Sequence, residues 1–261
     1  MSFGGIVLAE IRKTVTLPAA WAGGAVMVVL SGALTAYNAS SVRHALAAGR
    51  PGDTAFGSAF ETAFAAVPLG TAGAVVIGVI AIGSEYTANS TDAGGGRQVS
   101  ATLAAVPQRI ALLAAKAVTV MLVVAAAAAV TLLATVSTAS VLVGPHATSS
   151  VTGELVLTRS LGAALYWVLT ALIGFALTVL TRSGVVPLTV LIVNSSLVPF
   201  SLLLTYLTPL AHWLPDMAGR RLLGTDTIAG GLGAVPGAFV MAGWTLLLLV
   251  VAAVAFQRRD A

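Results

Sequence analysis

Gly83 to Lys116 reads GSEYTANSTDAGGGRQVSATLAAVPQRIALLAAK. It is a polar stretch set between two long apolar runs, and that setting decides the fold. It carries a triple glycine, Gly94, Gly95 and Gly96, a short amphipathic pattern, and the cations Arg97, Arg109 and Lys116. On either side the chain is free of charge for the length of a bilayer crossing. Across the 261 residues, 58% are hydrophobic and 8% charged. That leaves too few polar groups to cover a water-facing surface, whereas a bilayer asks for no such cover.

Outward from this stretch, a second span reads at about 61–82, with Pro68 as a kink, and a third at about 110–142, longer than a bilayer requires. Nearer the start, Ile6 to Leu17 sets Val7, Ile11 and Val15 four apart, with Glu10, Lys13 and Thr14 on another face. This is the pattern of an interfacial amphipathic helix over about 6–17. Pro18 ends it, and a first span of about 19–37 follows. A cleaved signal peptide is the competing reading, but the region before the apolar core is long for one and the core is span-length. Asn38 to Phe60 reads as a polar loop with Arg43, His44, Arg50 and Asp53.

Beyond the third span, Gly144 to Glu154 is a short outer loop. Spans at about 161–180 and 185–204 are joined only by Thr181 to Gly184, so they are antiparallel neighbours. Thr205 to Pro236 is a second outer segment, with Trp213 as an interface anchor and Gly230, Gly231 and Gly233 permitting turns. A sixth span, about 237–256, ends at Arg258 and Arg259. The expectation is an all-α polytopic membrane protein, a single transmembrane domain over 1–261 with six spans. No internal repeat is visible.

The net charge of +4 is no nucleic-acid patch, because the cations stand singly or in pairs at the ends of apolar runs. In the six-span topology Arg12, Lys13, Arg97, Arg109, Lys116, Arg182, Arg258 and Arg259 fall on one side, eight in all; Arg43, Arg50, Arg159, Arg220 and Arg221 fall on the other. The positive-inside rule then places both termini and the polar stretch in the cytoplasm. Eleven Arg against two Lys, in an Ala/Val/Leu-rich chain, points to a high-GC bacterial source and so to a bacterial cell membrane. With no cysteine, disulfides, thiolate metal sites and cysteine nucleophiles are excluded together.

Gly94 to Arg97 looks like a phosphate cradle, but a P-loop needs Gly-Lys-Ser/Thr after its glycines, and Gln98 and Val99 follow Arg97 instead. The glycines read as a flexible turn. Beyond them Val99, Leu103 and Val106 share one face of a short helix that Pro107 stops. So short a helix is unstable alone in water and must dock on the membrane, the bundle or another protein. Arg109 and Lys116 lie nearly on one face, about 10 Å apart along the axis. Lys116 is deep enough in the third span to need either snorkelling or an acid, and Glu85 is the nearest acid in sequence; the alternative is that both face lipid headgroups.

An amphipathic N-terminal segment with Glu10 and Lys13, Ser84-Glu85-Tyr86 closing the second span, then Gly95-Gly96-Arg97-Gln98, Thr102-Leu103, Val106-Pro107, Arg109 and Ala115-Lys116, together resemble the permease subunit of type-2 ABC exporters. The likeness is to their actinobacterial drug and peptide export branch. It implies that six spans form one half-transporter and that a second permease copy pairs with it around a central path. It also implies that a separate ABC ATPase, holding ATP and Mg2+, docks on the loop after the second span. Val99 to Val106 would be the coupling helix, Ile6 to Leu17 the interfacial helix that also meets the ATPase, and Thr205 to Pro236 short re-entrant helices at the exit. Relatives carry a Gly-Thr-hydrophobic-Arg run soon after the Glu-Tyr, where this chain has Asn89, Ser90, Thr91 and Asp92.

His44, His146 and His212 fall in outer loops without metal-ligand spacing and read as solvated. No G-x-S-x-G elbow supports an intramembrane hydrolase. Asn194, Ser195 and Ser196 sit mid-way along the fifth span, before Pro199; they either bond across a helix interface or line a substrate path, as Tyr166 and Thr170 would from the fourth. Ala74, Gly78 and Ala125 to Ala129 allow close helix approach, within one chain or between two. Span centres lack acids, so the chain has no evident ion-coupled drive and its energy would come from outside. The expected function is therefore the permease half of an ATP-driven exporter for a hydrophobic or amphipathic drug, peptide or lipid. Such a chain is not itself an enzyme and holds no cofactor of its own. The alternative is an ATP-independent immunity or sensor membrane protein.

Overall fold

A computed structural model describes residues 2–86, 102–103, 108–143, 152–197, 199–223 and 230–258. Every regular element among the described residues is helical. Helix α1, Phe3–Thr16, starts at Ser2, whose hydroxyl accepts the Gly5 N–H at 3.3 Å. Helix α2, Pro18–Ala47, begins on a proline, whose missing N–H would have had no helical partner in any case. It runs ten residues past the expected first span, through the stretch read as a polar loop. The extension is held by packing, since Ala39 and Val42 are buried against Val143.

The second span starts at α3, Ala59–Ala65. Ser58 accepts the Glu61 N–H at 3.1 Å, and the Glu61 carboxylate accepts the Gly57 N–H at 2.7 Å. An acid at the mouth of an apolar run is thus a cap for orphan amides. A 3-10 turn, Val67–Leu69, contains Pro68 and breaks the helix before α4, Gly70–Gly83, and a closing turn, Ser84–Tyr86. Helix α5, Arg109–Val143, has 35 residues and is about 52 Å long. Helix α6, Gly153–Thr181, ends at Arg182, which takes the left-handed conformation with φ 53° and returns its N–H to the Thr178 carbonyl.

The expected fifth span, 185–204, is not one helix. Helix α7, Val185–Ile192, passes into a π turn, Val193–Leu197, and α8, Phe200–Thr205, restarts after Pro199. Proline donates no hydrogen bond, and the Asn194 side-chain oxygen takes up the freed amide, accepting from Ser201 N at 3.1 Å and Ser201 Oγ at 3.3 Å. A 3-10 turn, Pro209–Trp213, then α9, Pro215–Gly219, and a second turn, Arg220–Leu223, fold short helices against α6 and α10, Ala234–Arg258. Trp213 is half exposed, and its carbonyl accepts the Trp244 indole N–H at 2.8 Å. Among the described residues five stretches, 18–47, 59–86, 109–143, 153–181 and 234–258, are long and apolar enough to cross a membrane. The sixth stretch remains a broken pair of short helices.

Helices α4 and α6 form the centre of the bundle, with α2, α5 and α10 around them. Their approach depends on Gly78, where an added Cβ would strike the Ala171 carbonyl. The small residues of the second span therefore serve packing within the chain. We expect Gly78→Val to lower the melting temperature of the solubilised protein, by overpacking worth about 1–3 kcal/mol or more. Gly243→Val, at a site with nothing within 4 Å of the new Cβ, should leave it unchanged. Equal melting of the two variants would show that the α4–α6 approach is not tight.

Candidate functional site

Helix α1 lies along the first turns of α5, with Ile6 buried against Leu112 and Ala115. Its buried positions are Ile6, Glu10 and Thr14, in four-residue steps, while Leu8 and Val15 are exposed. The face read from sequence as polar is the one turned to the bundle, and part of the apolar face is turned outward. In water that would be costly; against lipid it is the stable arrangement, because the polar side chains find partners only inside the protein.

Those partners form one closed cluster. Lys116 Nζ, on α5, donates to Glu10 Oε2 at 2.6 Å and to Glu85 Oε1 at 2.7 Å. Lys13 Nζ, one turn from Glu10, donates to the same Glu85 oxygen at 2.5 Å. The other Glu85 oxygen accepts Thr102 Oγ1 at 2.8 Å. Glu85 is 0% exposed and Lys116 1%. Two carboxylates and two ammonium groups cancel, which is the condition for burying any of them. The cluster joins α1, the turn that closes the second span, α5 and the described fragment of the polar stretch. Leu103, beside Thr102, packs against the Ile6, Leu112 and Ala115 group.

Arg109 opens α5 and ties it to the end of α10, its guanidinium donating to the Phe256 carbonyl at 3.3 Å and the Gln257 carbonyl at 3.5 Å. A cation at a helix C-terminus meets carbonyls that have no helical partner. Of the remaining residues expected to meet an ATPase, Arg97, Gln98, Val99, Val106 and Pro107 lie outside the described residues.

The residues expected along a substrate path do not share one role. Thr170 Oγ1 donates to the Tyr166 carbonyl at 2.8 Å, which satisfies it within its own helix. Tyr166 is buried against Gly219 on α9. Asn194 Nδ2 donates to Asp216 Oδ2 at 2.9 Å, so it meets α9 from another side while its oxygen caps α8. Ser195 is exposed and donates to the Ile192 carbonyl at 3.3 Å. The Ser196 side chain lies outside the described set. His212, read as solvated, is buried. Among the described residues no group of three or more His, Asp or Glu side chains could hold a metal ion.

Sequence reasoning paired Glu85 with Lys116 as one of two readings, and it named Glu10 and Lys13 without seeing that they complete the set. Thr102 stood in the motif that carries the resemblance but without a role, and Asp216 was missed; the partners of both are tertiary. A scan against family models finds no match, and neither does a search among curated proteins.

Replacing Lys116 by Met leaves the Glu10 carboxylate buried without a cation, which should cost about 3–5 kcal/mol in the stability of the solubilised chain. Adding Glu10→Gln to Lys116→Met should return much of that loss. Lys13→Met should cost less, because Lys13 is about a quarter exposed and water screens it. Denaturant unfolding in micelles checks all three; no recovery in the double variant would mean that Glu10 and Lys116 are not coupled.

Proposed function

We propose that the chain is the membrane-spanning half of an ATP-driven exporter, the permease subunit that its sequence resembles. It would work in a bacterial cell membrane with both termini in the cytoplasm. The observation that carries the reading is the buried cluster of Glu10, Lys13, Glu85 and Lys116. It fastens the interfacial helix and the turn opening the polar stretch to α5, the longest helix of the bundle. Drawing such charges apart in a medium of low dielectric constant costs several kcal/mol. A push on the polar stretch is therefore passed to α5 rather than absorbed locally.

The push would come from a separate ABC ATPase, which holds the ATP and Mg2+; the permease supplies the path. Among the described residues the buried Asp, Glu, Lys and Arg side chains are Glu10, Glu85 and Lys116, all in the cluster, which gives ion-driven transport across the membrane centre no buried relay among those residues. A second permease copy would complete the path. The cargo class is hydrophobic or amphipathic, a drug, peptide or lipid, in keeping with walls of Ala, Val and Leu.

One observation favours a second reading, an immunity or sensor membrane protein that works without ATP. Leu103, expected to face a partner, packs on this chain's own α1 and α5. A closed, neutral cluster with Leu103 packed beside it also suits a static anchor.

Tagged protein extracted gently from its native membrane should bring down a nucleotide-binding chain in fixed ratio. Val99→Asp should remove that chain without changing the melting temperature of the permease. Leu103→Asp is unsuited to this purpose, because it would damage packing whether or not a partner docks. Intact protein with no nucleotide-binding chain attached would overturn the exporter reading in favour of the second.

A further inference from the structure

A groove of about 480 Å3 runs between α2 and α5, away from the charge cluster. Gly24 and Ala25 on α2, with Ala126 and Ala127 on α5, draw its walls apart, and Ile77 of α4 forms its floor. Val15 and Trp21 stand at the end nearest α1. The Trp21 indole N–H is committed to the Val15 carbonyl at 2.7 Å, so even this lining residue presents only ring carbon. Protein interiors pack too densely to leave such a space open beside lipid, and water does not fill a cavity without polar partners. Its occupant is hydrocarbon.

Two sources of hydrocarbon compete, a lipid chain and a second copy of this protein, and charge decides between them. Arg12 is exposed one turn before Val15, on the same side of α1, so a cation stands beside the mouth of the groove. Among the described residues, both carboxylates at this end of the bundle, Glu10 and Glu85, are already bound to lysines. Among its described residues a second copy therefore offers Arg12 no free anion there, whereas a phospholipid carries its phosphate at the level where its chains begin. We propose that the groove holds one acyl chain of an anionic phospholipid from the leaflet in which α1 lies, with its phosphate on Arg12. The site is independent of any transport cycle and of any ATPase.

The test is native mass spectrometry of the full chain after exchange into phosphatidylglycerol or phosphatidylcholine. One phosphatidylglycerol should be retained per chain, several-fold more than phosphatidylcholine. Gly24→Leu with Ala126→Leu fills the groove from positions with open space or exposed faces, and should reduce retention of both lipids several-fold. Arg12→Gln, at an exposed position that leaves the fold intact, should abolish the preference for phosphatidylglycerol while keeping the chain-dependent part. Persistence of the preference in Arg12→Gln overturns the proposal even if the filled variant does not fold. Unchanged lipid retention in a folded filled variant also overturns it, and if that variant turns from dimer to monomer, the occupant is a second copy.

Discussion

The contact between Lys116 and its two carboxylates, Glu10 and Glu85, sets the conditions for one whole end of the molecule. An ammonium group this deep is tolerable only if anions reach it, and the anions come from elements remote in sequence. Glu10 can reach only if α1 turns its polar face inward. Glu85 can reach only if the second span ends in the tight turn Ser84–Tyr86. Lys13 then balances the charge that Glu85 would otherwise carry in excess. The orientation of α1, the end of the second span and the position of α5 are therefore consequences of one electrostatic requirement.

A different requirement shapes the other end. In lipid each backbone amide needs a partner, so a helix can break only where a 3-10 or π adjustment, or a side chain, replaces the lost bond. Pro199 makes the break, and Asn194 makes it tolerable by capping α8 with its oxygen and holding Asp216 with its amide. Helix α9 is thereby fixed against the broken segment, while Tyr166 fixes it against α6. The middle of the bundle needs neither device, because glycine and alanine let α4 and α6 come to backbone contact.

What could be read from sequence follows the same division. The span at 110–142 was legible to within a residue at each end, because length and apolarity alone define it, and α5 is 109–143. The first span was read ten residues short, since Asn38 to Arg43 looks like loop until Val143 is known to lie beside Ala39 and Val42. The stretch 185–204 was read as one span, kinked near Pro199, because hydropathy counts apolar side chains and says little of the amide that a proline lacks; the structure breaks it in two. The two faces of α1 were legible as those of an interfacial helix, but that its polar face meets the bundle was not, because Glu85 and Lys116 are tertiary partners. In the cluster the ions were legible but their pairing was not: Glu10 and Lys116 are 106 residues apart, and only the helix arrangement brings them together. Asp216 acts through a tertiary partner and left no pattern to read, while Thr102 stood in a legible motif whose bond to Glu85 was not legible.

These two ends differ in how readily they can move. At the α1 end, relative motion of α1, α5 and the closing turn of the second span would pull ions apart in a medium that screens them poorly, so the three shift as one piece or not at all. Helix α5 extends that piece through the bundle, because it packs against α2, α3, α4, α6 and α10 as well as α1. At the other end the broken segment is held to α9 by an amide-to-carboxylate hydrogen bond in a partly buried setting, a contact that can be exchanged for water at far lower cost. Of the two contacts, the hydrogen bond at the break is therefore the one that yields first when the bundle is strained, and the ion cluster the one that holds.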